Sequence, residues 1–121
     1  VSLLGDMFED IEFRKQCEDN RQSSTEKHES WSAETKMLLL NIQRLYKDLL
    51  NDGVARETAR MILPLCTKTK IHMTGSIRSW IHFLELRDDE HAQKEIQLIA
   101  KEIKRIFVKE FPIISKALKY D

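Results

Sequence analysis

The sequence predicts a mostly helical α+β fold, and three observations carry that expectation. Apolar residues recur every three or four positions in three separate stretches, which places them on one face of a helix. Between two of these stretches the pattern changes to alternation, the mark of a β-strand. Breakers separate the segments: Asn51, Asp52 and Gly53, then Pro64, Gly75 and Pro112.

A chain of 121 residues is about the size of one domain, or part of one, and buries a modest core. Twenty acidic and twenty basic side chains cancel, so no global field draws the protein to nucleic acid or an anionic membrane. Neither is expected as a partner, and any anion must be held locally. Cys17 and Cys66 lie far apart without paired-cysteine spacing, which reads as free thiols in a reducing compartment. No apolar run approaches the roughly 18 residues of a spanning helix, and the opening Val1 to Gly5 lacks the basic region of a signal peptide. A soluble, cytoplasmic protein is the expectation. The start without Met suggests a processed or truncated chain.

Residues 1–30 read as an N-terminal arm or loop, since charges of both signs are mixed there with few apolar residues. Within it, FRKQCEDNRQSS carries Arg14, Lys15 and Arg21 among amides, a composition suited to solvent or to a polyanionic ligand. The helical part, residues 31–121, opens with a helix from Ser32, expected as its N-cap, with Glu34 in the first turn. Leu38, Ile42, Leu45 and Leu49 form its apolar row, and Leu39, Tyr46 and Leu50 widen it, so this helix is expected to lie between two packing partners.

Val54 to Leu63 predicts a short second helix closed by Pro64, because the residue before a proline is biased out of the helical region. Arg56 and Arg60 share one of its faces. From Cys66 to Thr74, Thr67, Thr69, Ile71 and Met73 alternate with Lys68, Lys70 and His72, predicting a strand between helices. Gly75 breaks it and Ser76 caps a third helix with Ile77, Ile81 and Leu84 as its apolar row. The fourth helix, from about Asp89 to Phe111, should bury Ile96, Ile99, Ile103 and Ile106. Pro112 restarts a short amphipathic segment, Ile113 to Leu118, that packs back on the core.

Arg60, Arg78 and Arg87 stand in a mostly apolar frame, and a charge in such a frame must find a counter-charge, solvent or a ligand. Arg78, His82 and Glu85 fall at four- and three-residue steps and share a face distinct from the apolar row. A solvated ion-pair face has the same spacing. Arg87 either points back to that face or neutralises Asp88 and Asp89. No Gly-rich phosphate loop, HExxH, metal-ligand spacing or Ser-His-Asp order is present, so no metal and no self-contained enzyme is expected from motifs alone. His28, His72, His82 and His91 have a structural or solvent role by default. Guanidinium groups suit phosphate or carbonyl oxygens, because they stay charged and bind two oxygens at once.

The runs GVARETARMILPL, TGSIRSWIHFLELR and HAQKEI, in that order, resemble the C-terminal half of the flavin-dependent thymidylate synthases, the ThyX family. A looser match extends over FRKQCEDNRQSS and FVKEFPIISKAL, where the chain looks most like viral and phage-type members. The resemblance implies the C-terminal portion of the ThyX fold and the methylation of dUMP to dTMP. It further implies FAD as cofactor, NADPH as reductant and methylenetetrahydrofolate as carbon donor. Arg60 and Arg87 match dUMP-contacting arginines, and Arg87 matches the residue assigned to activate the uracil ring by favouring ionisation at N3. A fixed cation there stabilises negative charge as the ring becomes more nucleophilic. Ser76, Ile77 and Arg78 match an FAD-binding segment, and His82 a flavin-contacting position; Ser76 stands where asparagine is common. Cys66 is not needed as a nucleophile.

The family's Arg-His-Arg segment, which should precede this sequence, is not in it. The resemblance therefore implies a chain inactive by itself, completed by an N-terminal ThyX fragment and by the family's homotetramer, in the cytoplasm or a host's cytoplasm if viral. The competing expectation is a non-catalytic helical structural or protein-interaction domain whose arginines serve ion pairs.

Overall fold

The computed structural model describes residues 5–21, 23–28 and 30–120. Two short strands, β1 (Arg14–Gln16) and β2 (Ser24–Lys27), form a two-stranded sheet, followed by α1 (Ser32–Asn51) and α2 (Arg56–Ala59). A 3-10 turn (Arg60–Ile62), α3 (Ile77–Arg87), α4 (Lys94–Glu110) and α5 (Pro112–Ala117) complete the order. The fold is α+β and mostly helical, as expected, but its strands are elsewhere. Residues 1–4, 22 and 29 of the expected arm lie outside the described residues. The chain divides into two compact units, Val1–Phe13 with Lys27–Ile71, and Arg14–Glu26 with His72–Asp121.

In the first unit α1 begins at Ser32, but its cap is Trp31, held at φ 83° with no side-chain cap bond, so Ser32 is a helical residue and not the N-cap. The C-terminus behaves as its sequence says. Gly53 takes φ 83°, its N–H reaches the Leu50 carbonyl at 3.2 Å, and the Val54 N–H reaches Leu49 at 2.9 Å. That reciprocal pair satisfies the last carbonyls of the helix and needs a residue free to adopt positive φ. Leu39 and Phe8 form the small core, joined by Met7, Ile42 and Cys66. Leu38 and Leu45, expected in the buried row, are exposed, as is Met37. The expectation of packing partners on both sides of α1 is not met within this unit.

Pro64 closes the second helix as predicted, though its last turn tightens to 3-10 at Arg60–Ile62. The predicted strand from Cys66 to Thr74 is not formed. Among the described residues Thr67 alone pairs, in one antiparallel bridge to Phe8, and Thr69, Ile71 and Met73 are exposed. Alternation alone builds no strand, because a strand needs a neighbour to take its hydrogen bonds.

The second unit has the larger core. Leu84 of α3 and Ala100 and Phe107 of α4 are buried together, with Trp80, Ile81, Phe83, Ile103, Ile114 and Tyr120 around them. Leu84 and Ile81 sit in the predicted row of α3, while Ile77 is 40% exposed. On α4 the buried face is shifted from the prediction. It runs through Ala100 and Phe107, flanked by Ile96 and Ile103, and Ile99 and Ile106 are half exposed. The spacing of four isoleucines outweighed a small and an aromatic residue in the sequence reading, yet the smooth side at Ala100 is what lets α3 approach. The helix also starts later than Asp89, at Lys94, after a turn in which the Asp89 carboxylate accepts the His91 N–H at 2.8 Å. Lys104 of α4 bonds Asp88 at 2.8 Å and lies 4.9 Å from the Tyr120 ring centroid, tying α4 to both ends of this unit.

Candidate ligand site

Helix α3 positions most of the candidate residues. Its N-cap is Ser76, as the sequence predicts: the hydroxyl oxygen accepts from the Ser79 N–H at 3.1 Å and lies 2.9 Å from the Ser79 hydroxyl. The Ser76 side chain is therefore committed to the helix, and what remains for a ligand is its backbone. Ile77 follows as the first helical residue.

Arg78 and His82 come together. With Ser79, Ile81 and Glu85 they line an open cavity of about 420 Å³ along one face of α3. The shared face expected from their spacing is present, and Glu85 belongs to it. Arg78 and His82 form no ion pair or side-chain hydrogen bond among the described residues. Guanidinium and imidazole offer N–H donors and the carboxylate offers acceptor oxygens to a polar ligand, with Ile81 as the apolar wall.

Arg87 is elsewhere. It follows Arg78 by nine residues, and at 100° per residue this sets the two roughly 180° apart around the helix. Arg87 lines a second cavity, about 630 Å³, with Phe83 and Leu86 from α3, Asp89, His91 and Gln93 from the connecting turn, and Ile96 from α4. Neither sequence alternative holds. Arg87 does not point back to the Arg78 face, and it does not neutralise its acidic neighbours, because both are engaged by other partners. Asp88 takes Lys104, and the Asp89 carboxylate oxygen lies 2.7 Å from the His91 Nδ1. The two hydrogen bonds from His91, backbone first and ring second, hold the Asp89 carboxyl below its ordinary value. Arg87 is left without an ion pair among the described residues, its charge facing an open and partly apolar cavity.

Arg60 belongs to the other compact unit, where it opens the 3-10 turn and is exposed. The predicted residues thus fall in three places. Sequence reasoning named Asp89 beside Arg87 but passed over Phe83 and His91 as its companions. The signal was there in the His91 to Ile96 run, but the default of a solvent role for each histidine hid it.

Helix α3 thus carries an arginine-bearing cavity on each of two opposite sides. The family described as thymidylate synthase complementing protein matches residues 8–113, and the chain belongs to it. A probable flavin-dependent thymidylate synthase of Paramecium bursaria Chlorella virus 1 is 47% identical over 90 residues, which are 74% of this chain and 42% of that protein. The flavin-dependent thymidylate synthase of Synechocystis is 39% identical over 118 residues, 93% of this chain and 55% of that protein. One from Thermus thermophilus is 36% identical over 115 residues, covering 92% and 42%. The chain spans about half the length of these relatives. Among the described residues, no helix is long and apolar enough to cross a membrane.

Proposed function

We propose that this chain is the C-terminal, ligand-contacting part of a flavin-dependent thymidylate synthase. The whole enzyme methylates dUMP to dTMP with methylenetetrahydrofolate as carbon donor and NADPH as reductant. The observation that carries this reading is Arg87: both neighbouring carboxylates are engaged elsewhere, and its charge faces a cavity with the aromatic Phe83 and the apolar Leu86 and Ile96. A planar, polar ring suits such walls, and a fixed cation beside it stabilises negative charge that develops on the ring. Arg60 and Arg87 bind dUMP in this reading, and Arg87 favours ionisation at N3.

Arg78 and His82 contact FAD, with the backbone of Ser76 and Ile77. The donors of this cavity fit the polar part of a dinucleotide, whose phosphate and carbonyl oxygens accept from guanidinium and imidazole. Ile81 alone cannot cover a flavin ring, so the remaining wall comes from another segment or chain. FAD, when bound, supplies the reducing equivalents. Arg78 and Arg87 face opposite sides of α3, so each ligand needs walls from further segments, which supports the homotetramer and an added N-terminal ThyX fragment. Exposed Met37, Leu38, Leu45 and Leu65 support the same conclusion, since apolar surface of this extent marks interaction sites. Its place in this reading is the cytoplasm, or a host's.

Titration of FAD and dUMP, separately and together, into the 121-residue chain tests the reading by flavin fluorescence and heat. Saturable FAD binding weakened at least tenfold by Arg78→Ala is the expected result. FAD binding indifferent to Arg78→Ala removes α3 from the flavin site.

A further inference from the structure

The run FRKQCEDNRQSS is not used by the function proposed above. We infer that it builds, with α4, a separate site for a phosphate group. Between β1, β2 and the first two turns of α4 lies a cavity of about 290 Å³, lined by Arg14, Ser23, Ser24, Thr25, Lys94 and Lys101, with Glu90 and Gln97 at its edge. Lys94 and Lys101 are seven residues apart, hence on one face of α4 two turns from each other. Three consecutive hydroxyl residues face them from the loop end and start of β2.

The cavity is built rather than incidental. The Arg14 side chain is only 12% exposed, and its guanidinium is fixed by a 2.7 Å bond from Nε to the Ser24 hydroxyl and by an ion pair with Glu95. Gln16 shapes the loop that presents Ser23: its amide nitrogen lies 3.0–3.2 Å from the carbonyls of Cys17, Asn20 and Ser23. The Asn20 amide then donates to the His91 carbonyl at 3.1 Å, joining the loop to the turn before α4. Gln97 is held in turn by the Ala92 carbonyl at 2.6 Å. These bonds assign work to the amides whose role composition left open.

Charge selects the ligand. Among the described lining residues, Arg14, Lys94 and Lys101 bring three cations and Glu90 one carboxylate. Lys101 forms no ion pair among the described residues, whereas Lys15 of the same motif is taken by Glu26 and Arg21 lies outside the lining. Ammonium, guanidinium and hydroxyl donors converging from two sides match a tetrahedral oxyanion better than a planar carboxylate. Among the described lining residues Ala92 and Leu98 are the apolar ones, and none is an aromatic platform on which a nucleobase stacks. The ligand is the phosphate of a small phosphorylated molecule. The site lies within the unit of Arg14–Glu26 and His72–Asp121; among the described residues its lining shares none with the Arg78 cavity and Ala92 with the Arg87 cavity, and its charged and hydroxyl groups belong to neither.

Inorganic phosphate titrated into the 121-residue chain at constant ionic strength, followed by amide chemical shifts, tests the site. Saturable shifts at Ser23–Thr25 and Lys94–Lys101 are expected, at least fivefold weaker binding in Lys101→Ala, and at least twofold tighter binding in Glu90→Gln. Lys101 is exposed, so its variant keeps the fold. The inference is overturned by shifts that do not saturate, by wild-type affinity in Lys101→Ala, by equal binding of glutamate as a carboxylate probe, or by shifts centred on Arg78 or Arg87.

Discussion

Helices α1 and α4 are alike in sequence and unlike in outcome. They are 20 and 17 residues long, and each carries apolar residues at helical spacing. Yet α4 buries Ala100 and Phe107 in a core shared with α3 and α5, whereas α1 buries Leu39 alone and leaves Met37, Leu38 and Leu45 exposed. The difference lies in the neighbours. Helix α4 follows and precedes helices that return across it, while within its own unit and among the described residues α1 packs on the short α2, the 3-10 turn and the segment around Phe8. Amphipathicity states which face must be covered; the rest of the chain decides whether it is. The half of the molecule that includes α1 therefore reads as a surface awaiting partners, and the other half as a closed module that carries cavities.

Truncating matched aromatics breaks or confirms that contrast most forcefully. Phe107→Ala should destabilise the second unit by about 3–5 kcal/mol, because a well-packed site cannot collapse around the void. Phe8→Ala should cost about 3 kcal/mol or less, its smaller cluster having more freedom to relax. Urea unfolding of both variants measures this, and equal losses would show that the two cores do not differ in packing.

The helix starts provide a smaller and sharper comparison. Ser76 caps α3 through its hydroxyl, whereas Ser32 is merely the first residue of α1. Ser76→Ala is expected to cost about 1 kcal/mol, and Ser32→Ala to stay within about 0.5 kcal/mol. Hydrogen exchange in the first turn of each helix reads out the difference locally. On the exposed side of α1, Leu45→Ser should likewise change the stability of the isolated chain by no more than about 0.5 kcal/mol. A large loss there would mean that this face is covered in solution by another copy.

The smallest expected effect concerns pH. The hydrogen bond from Arg14 holds the Glu95 carboxyl below its ordinary 4.5. A carboxylate whose folded value is depressed stabilises the fold fully above the ordinary value and loses that contribution as pH falls through it toward the folded value. The gap in urea midpoint between the protein and Glu95→Gln should thus be largest near neutrality and shrink below pH 4.5. A gap that grows on acidification contradicts the pairing.

The helices, their breakers and the caps at Ser76 and Gly53 were legible in the sequence because they are local: each depends on residues within one turn. The grouping of Arg78, His82 and Glu85 was legible for the same reason, being set by helical geometry alone. Strand placement was not. Among the described residues Thr67 to Met73 alternates and pairs only at the Thr67 bridge to Phe8, while the polar Arg14–Gln16 and Ser24–Lys27 form a sheet whose connecting residues Cys17, Asn20 and Ser23 are tied by Gln16. The buried row of α4 was misplaced since Ala100 and Phe107 are recognised as core only once α3 lies against them. The setting of Arg87 was hidden too, because it depends on Lys104, sixteen residues beyond Asp88, removing the nearest counter-charge.

The central claim is that Arg87 keeps an uncompensated charge for the substrate ring. It is tested most directly by mixing this chain with the N-terminal half of the Chlorella virus relative and measuring dTMP formed from dUMP, with wild-type and Arg87→Ala chains compared with Arg44→Ala, which removes an exposed arginine of α1 that lines none of the cavities described above. The account predicts thymidylate from the wild type and from Arg44→Ala, and a loss of at least a hundredfold in Arg87→Ala with its helical circular dichroism unchanged. Thymidylate formed equally well by Arg87→Ala, or none formed by any mixture, contradicts it.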